Sequence, residues 1–128
     1  MKILSPIMSA SDIDVLNPNK FNTEFFCGYL PQWWIDEFND PDKKYSNLAT
    51  PINNRNGRGA NVTSLDELAE IVKKTKEYDT DIFLVLNAKY YPGYVYESIS
   101  RYIEEVLKAG ITRMIVSDIG MINFLSIN

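Results

Sequence analysis

The chain has 128 residues, the length of one ordinary domain, and 45% of them are hydrophobic, so it can bury a substantial core. Its net charge of −4 argues against a broad nucleic-acid-binding surface. It has no histidine and one cysteine, which excludes Ser-His-Asp and Cys-His catalysis, histidine metal sites, and an iron–sulfur cluster held by this chain alone. No signal-peptide pattern and no apolar stretch of about 18 residues is visible, so we expect a cytoplasmic protein without a membrane span.

Four short apolar segments are predicted to form strands. The third is a continuous apolar run, which is typical of a strand buried on both faces. Each of the four ends at a polar residue, a cysteine or a glycine. In chain order the predicted strands are 2–4, 24–27, 82–86 and 114–116.

Helical patterns separate these strands. Residues 65–78 carry apolar side chains at helical spacing behind the capping box Ser64-Leu65-Asp66-Glu67. Residues 95–107 show a second amphipathic pattern, which Gly110 terminates. Shorter helices are predicted at 9–16, 32–38 and 119–128, and a loop at 39–51.

This alternation predicts an α/β fold with a parallel sheet and right-handed helical crossovers. Four such units amount to half of a (β/α)₈ barrel, so we expect one partial, TIM-barrel-like domain over residues 1–128. No dinucleotide fingerprint follows the first strand, which disfavours a Rossmann fold. Ser5, Cys27, Asn87 and Asp118 end the strands, where active sites of α/β proteins lie.

The segment 52–61 is polar and has almost no apolar content. It contains two arginines, four asparagines and two glycines, and a predicted helix follows it. Arginine binds carboxylates and phosphates, and a glycine-containing loop before a helix suits a bound anion. A solvated surface loop that binds nothing is the alternative interpretation.

Four pieces of sequence follow each other in register and resemble a known family. They are residues 26–29 (Phe-Cys-Gly-Tyr), 53–55 with 59–63, 86–91, and 115–120. This series resembles the N-terminal part of the collagenase-like proteases, the U32 peptidases, and the likeness extends from Phe25 to Phe124.

The resemblance implies a TIM-like barrel and relatives described either as peptidases or as oxygen-independent hydroxylases of RNA bases or quinones. The hydroxylases carry an iron–sulfur cluster on cysteines beyond the segment that corresponds to this chain, so we expect no cofactor here. Relatives also have an alanine-rich first helix, whereas residues 9–21 are shorter and more polar.

Five residues are predicted to bind a ligand, and none is assigned to catalysis. Asn54, Arg55 and Asn61 gain most from the resemblance. Asn87 and Asp118 follow apolar strands, where a polar side chain must find a partner, so binding and structural roles are both open.

Two further residues have reactive side chains. Cys27 could be a nucleophile or a ligand, with a buried structural thiol as the alternative. Lys89 could form a Schiff base, with a solvated lysine as the alternative. The pairs Trp33-Trp34 and Tyr90-Tyr91 could stack on a base or sugar ring, or pack as ordinary apolar surface.

The resulting functional hypothesis is the N-terminal, substrate-positioning part of a U32 peptidase family protein. Its substrate would be a small molecule, a peptide or an RNA base, and the isolated chain should not cleave peptides. The alternative is a non-catalytic binding or assembly module that completes its sheet with a partner chain, as a homo-oligomer or with a missing C-terminal portion. A small self-sufficient enzyme is a third reading, disfavoured because no nucleophile–base pair is visible.

Overall fold

A computed structural model describes residues 1–39, 51–55 and 58–127 of the chain. All four strands are parallel and form a single sheet in the order β1-β2-β3-β4. Their bounds are β1 Ile3–Pro6, β2 Thr23–Cys27, β3 Ile82–Leu86 and β4 Met114–Val116. The predicted α/β class and sequential parallel order are confirmed, and the sheet is consistent with half of a barrel.

Helical segments follow every strand. They are α1 Ala10–Leu16, α2 Pro18–Phe21, α3 Gln32–Trp34 continued by a π-helical turn Ile35–Asn39, α4 Leu65–Glu77, α5 Tyr96–Lys108 and α6 Ile119–Ile127. Single 3₁₀ turns occur at Arg58–Ala60 and Gly93–Val95. Most of the loop predicted for residues 39–51 lies outside the described residues.

The start of α4 shows the Ser64 half of the predicted capping box. The Ser64 hydroxyl accepts a hydrogen bond from the backbone N–H of Glu67 at 3.1 Å, which satisfies a donor that the helix leaves unpaired. Lys74 and Lys76 lie in the last turn, where their positive charges interact favourably with the negative end of the helix dipole. Lys74 also pairs with Asp14 at 3.3 Å and thereby connects α4 to α1.

One face of the sheet is packed and the other is open. Side chains alternate between the two faces along each strand, and paired residues share a face. On the packed face Phe25, Cys27 and Leu84 are completely buried and share one hydrophobic cluster with residues of α4 and α5. The helix layer therefore covers this side and excludes water from it.

The open face is concave. It carries Leu4, which is 51% exposed, together with Phe26, Phe83 and Ile115, which are half-buried. A hollow of about 280 Å³ is lined by residues of all four strands, so the sheet curls around it. Lining residues are Lys2, Ile3, Leu4, Glu24, Phe83 and Ile115. In a half-barrel, with which the sheet is consistent, this would be the inner face.

The last helix lies on the helical side of the molecule. Its Phe124 ring meets the ring of Tyr96 in α5 edge to face, with 5.0 Å between the ring centres. Met121 is completely buried, whereas Ile119 on the opposite side is exposed. Among the helices that the structure describes, none has the length and apolar character needed to cross a lipid bilayer.

Gly110 gives a stability test of the turn after α5. Its φ of +100° suits glycine, and an added Cβ would lie 2.9 Å from Cγ1 of Val72 in α4. We therefore expect Gly110→Ala to lower the free energy of unfolding by about 1–3 kcal/mol, measured by urea denaturation.

The matched control is Gly93→Ala, because no atom lies within 4 Å of a Cβ at that position. We expect this variant to unfold within about 0.5 kcal/mol of the parent chain. Equal urea midpoints for Gly110→Ala and the parent would contradict the packing described here.

Candidate functional site

The polar segment crosses the carboxyl ends of the central strands. Val62 donates its backbone N–H to the Gly28 carbonyl at 2.8 Å, and Leu30 donates to the Val62 carbonyl at 2.9 Å. Gly28 follows β2 directly, so this parallel pairing extends the sheet by one more contact. The Asn54 N–H donates to Oδ1 of Asn87, the residue that follows β3, at 3.0 Å.

Tyr91 fixes the beginning of the same segment. Its buried hydroxyl donates to the Ile52 carbonyl and accepts from the backbone N–H of Ala88 at 3.1 Å. Burial raises the pKa of Tyr91, so the phenol stays protonated and can donate this bond at neutral pH. Its neighbour Tyr90 is 68% exposed, so the two tyrosines play different roles.

Two asparagines of the segment form a buried pair of amides. Nδ2 of Asn53 donates to Oδ1 of Asn61 at 2.8 Å, and both side chains are almost fully buried. Oδ1 of Asn53 accepts the backbone N–H of Arg55 at 2.9 Å. Buried amide groups are costly unless they are paired, so these contacts fix the path of the loop.

Arg55 extends from this pair toward the concave face. Its Nε donates to the Ala60 carbonyl at 2.6 Å, and its guanidinium carbon lies 5.6 Å from the centre of the Phe26 ring. Nη2 lies 4.0 Å from the sulfur of Met8, which follows β1. Among the described residues, Ala60 supplies the only oxygen that the half-buried guanidinium contacts as a hydrogen-bond donor.

The other predicted ligand-binding residues have different surroundings. The Asn54 side chain is exposed, and Asn87 uses Oδ1 to hold the Asn54 backbone. Asp118 accepts the Met121 N–H at 2.7 Å and so caps the start of α6. Asn61 is buried in the amide pair. Of the five predicted residues Asn54 alone is exposed, while Arg55, Asn87 and Asp118 are half-buried.

The two candidates for covalent chemistry differ sharply. Burial raises the pKa of the Cys27 thiol to about 12, although the positive charge of Arg55 acts in the opposite direction. The thiol therefore remains protonated at neutral pH, and a protonated thiol is a poor nucleophile. Lys89 is exposed. Within the described part of the chain, no three acidic or cysteine side chains are close enough to hold a metal ion.

The tryptophan pair belongs to the helical layer. Trp34 is completely buried against Phe38, with 4.6 Å between ring centres. Trp33 donates its indole N–H to Glu105 at 3.0 Å and stacks under the Arg101 guanidinium, 4.1 Å from the ring centre. These contacts join α3 to α5.

Sequence reasoning missed Gly28, Asn53 and Tyr91 as parts of this site. Gly28 and Asn53 were read only as members of local motifs, and Tyr91 only as half of an aromatic pair. Their roles depend on contacts between distant positions, such as 52 with 91 and 53 with 61. The sole available signal was that buried asparagines and tyrosines require partners.

Comparison with known families gives one result. Residues 49–128, more than half of the chain, match the family model described as peptidase family U32. This confirms the resemblance and includes Arg55, Asn61, Asn87 and Asp118, while the Phe-Cys-Gly-Tyr piece at 26–29 lies before the matched segment. Neither the curated proteins nor the solved structures contain a match.

The burial of Cys27 leads to a test of its reactivity. We expect the native chain at pH 8 to react with an aromatic disulfide reagent at least about 100-fold more slowly than the chain in urea, because the thiol is desolvated and protonated. The chain has one cysteine, so the absorbance change reports this thiol alone. Rapid labelling of the native chain would show instead that Cys27 is accessible as a nucleophile.

Proposed function

The chain belongs to peptidase family U32, and we propose that it is the N-terminal, substrate-positioning part of such a protein. In this proposal Arg55 binds a carboxylate of the substrate at the carboxyl ends of the strands. The observation that carries it is the position of Arg55, half-buried beside Phe26 at the end of the concave face.

The chemistry of the site favours a planar anion. Arginine presents parallel N–H groups that match the two oxygens of a carboxylate. The exposed Asn54 side chain adjoins Arg55 and can donate or accept further hydrogen bonds from a peptide group. A peptide with a free C-terminal carboxylate carries both kinds of partner, which agrees with a family named for peptidases.

In this proposal the residues of this chain do not carry out the chemical step. Among the described residues Cys27 is the one thiol, and burial keeps it protonated. The whole chain lacks histidine, the usual base for a serine or cysteine nucleophile. The same positioning role would serve relatives that hydroxylate RNA bases or quinones. In this proposal the reacting groups are not supplied by this chain.

Binding of a simple peptide tests the role of Arg55. We expect the tripeptide Gly-Pro-Ala with a free C-terminal carboxylate to bind the parent chain, measured by NMR titration. Arg55→Ala should weaken binding about tenfold or more, since a charge-assisted contact is worth about 1.5–3 kcal/mol. Stability should fall by no more than about 3 kcal/mol, the upper value of the one charge-assisted internal hydrogen bond that is lost.

The matched control is Arg113→Ala. Arg113 precedes β4 at the amino ends of the strands and pairs with Asp81 at 3.4 Å. This variant should bind the tripeptide as the parent does, whereas the C-terminal amide of the tripeptide should bind weakly to every variant. Undiminished binding by Arg55→Ala would refute the assignment of the carboxylate to this residue.

A second candidate function, assembly, is favoured by the open concave face. Leu4 is 51% exposed and Ile3 40%, on an edge strand beside the hollow of about 280 Å³. An apolar edge strand is a template for pairing with another chain. A second copy related by a two-fold axis would bring four more parallel strands, so that β4 of each copy meets β1 of the other and an eight-stranded barrel closes.

Light scattering after size-exclusion chromatography tests this assembly. We expect a dimer of twice the 14.7 kDa chain mass at micromolar concentration. Leu4→Asp should shift the population to monomer, because a buried carboxylate on the shared face costs several kcal/mol. Val15→Asp is the control, since Val15 is 82% exposed on α1 in the helix layer. A parent chain that stays monomeric would refute assembly through the concave face.

A further inference from the structure

We propose that the buried Asn53–Asn61 amide pair, packed against Gly28, is a positioning device that fixes the direction of the Arg55 guanidinium. The carboxylate ligand in this inference rests on the proposed function above. The positioning itself is a property of the unliganded chain and is measured separately.

Arg55 is held by one hydrogen bond from its backbone and one from its side chain. Its backbone N–H is bound by Oδ1 of Asn53 at 2.9 Å, and its Nε is bound by the Ala60 carbonyl at 2.6 Å. Asn61, the residue after Ala60, closes the circuit by accepting from Nδ2 of Asn53 at 2.8 Å. One buried hydrogen bond therefore joins Asn53, which binds the Arg55 backbone, to Asn61, which follows the Ala60 that binds the Arg55 side chain.

Gly28 provides the space in which this circuit lies. A Cβ added there would overlap Oδ1 of Asn61 and would lie 2.7 Å from Nδ2 of Asn53 and 2.9 Å from Cδ of Arg55. Gly28 does not have a positive φ, so the requirement for glycine is one of space and not of backbone conformation. The side chains of Asn53, Asn61 and Arg55 would have to move if position 28 carried a side chain.

The hydrogen bond to Ala60 also fixes the direction in which Arg55 can bind a ligand. With Nε engaged by Ala60, the outer N–H groups of the guanidinium have a fixed orientation before a ligand arrives. A preorganised donor pair avoids the entropy loss of ordering a long side chain on binding. Phe26, 5.6 Å away, supports the guanidinium from the concave side.

The test compares Gly28→Ala with Gly59→Ala in the unliganded chain. An alanine Cβ at Gly59 meets no atom within 4 Å, although Gly59 directly precedes Ala60, so it is a matched control. The readout is the ¹H–¹⁵N signal of the Arg55 Nε–H, whose protection reports the bond to Ala60. A change confined to overall stability would speed exchange of the buried backbone amides by a similar factor, so exchange of the Arg55 Nε–H is compared with theirs.

We expect Gly28→Ala to speed hydrogen exchange of the Arg55 Nε–H by about tenfold or more, as for a bond that opens readily. Gly59→Ala should leave the rate within about twofold. Binding of Gly-Pro-Ala should weaken about tenfold in Gly28→Ala only, as expected if preorganisation is lost. An unchanged Arg55 signal in folded Gly28→Ala would overturn the proposal.

A second variant decides the question if Gly28→Ala does not fold. Asn53→Ala keeps the space above Gly28 and removes both side-chain hydrogen bonds of Asn53. We expect the same increase in exchange of the Arg55 Nε–H, and an unchanged rate would overturn the proposal. If exchange responds as expected while the parent chain does not bind Gly-Pro-Ala, the positioning device stands and the proposed carboxylate function fails.

Discussion

The parallel pairing of β2 with β3 is the constraint on which the rest of the structure depends. It aligns Phe25 with Ile82 and Cys27 with Leu84, so the carboxyl ends of two strands separated by a long connection lie side by side. That connection has to leave β2, cross the sheet end and return through α4 before β3 can begin. The polar segment occupies the crossing, and α4 provides the return along the packed face.

Two different kinds of stabilisation meet at this crossing. Below it, apolar burial dominates, with Phe25, Cys27 and Leu84 excluded from water. At the crossing itself, buried amide and phenol groups must be satisfied, and Asn53, Asn61 and Tyr91 do so through each other and through the backbone. Each such contact adds modestly to stability, but leaving one unmade would be expensive, so the loop has few alternative paths.

The fold was predictable from the sequence because it depends on local patterns. The continuous apolar run of β3 and the helical spacing of α4 are visible in the chain, and they lead directly to parallel strands with helical crossovers. The position of the polar segment followed from the rule that α/β sites lie at carboxyl strand ends. The different structural roles of Asn53, Asn54 and Asn61 could not be predicted, since the three asparagines look alike in sequence. Burial in the folded chain distinguishes them, as it distinguishes Tyr90 from Tyr91.

Asn54 is held in the loop by its backbone and not by its side chain. Asn87 grips the backbone N–H of Asn54 and leaves the side chain in solvent, so any residue other than proline would satisfy the same contact. Position 54 can therefore vary among homologues with little effect on folding, while it alters which groups stand next to Arg55. In the proposed function, a single substitution at position 54 would therefore change the ligand preference without rebuilding the sheet or the loop.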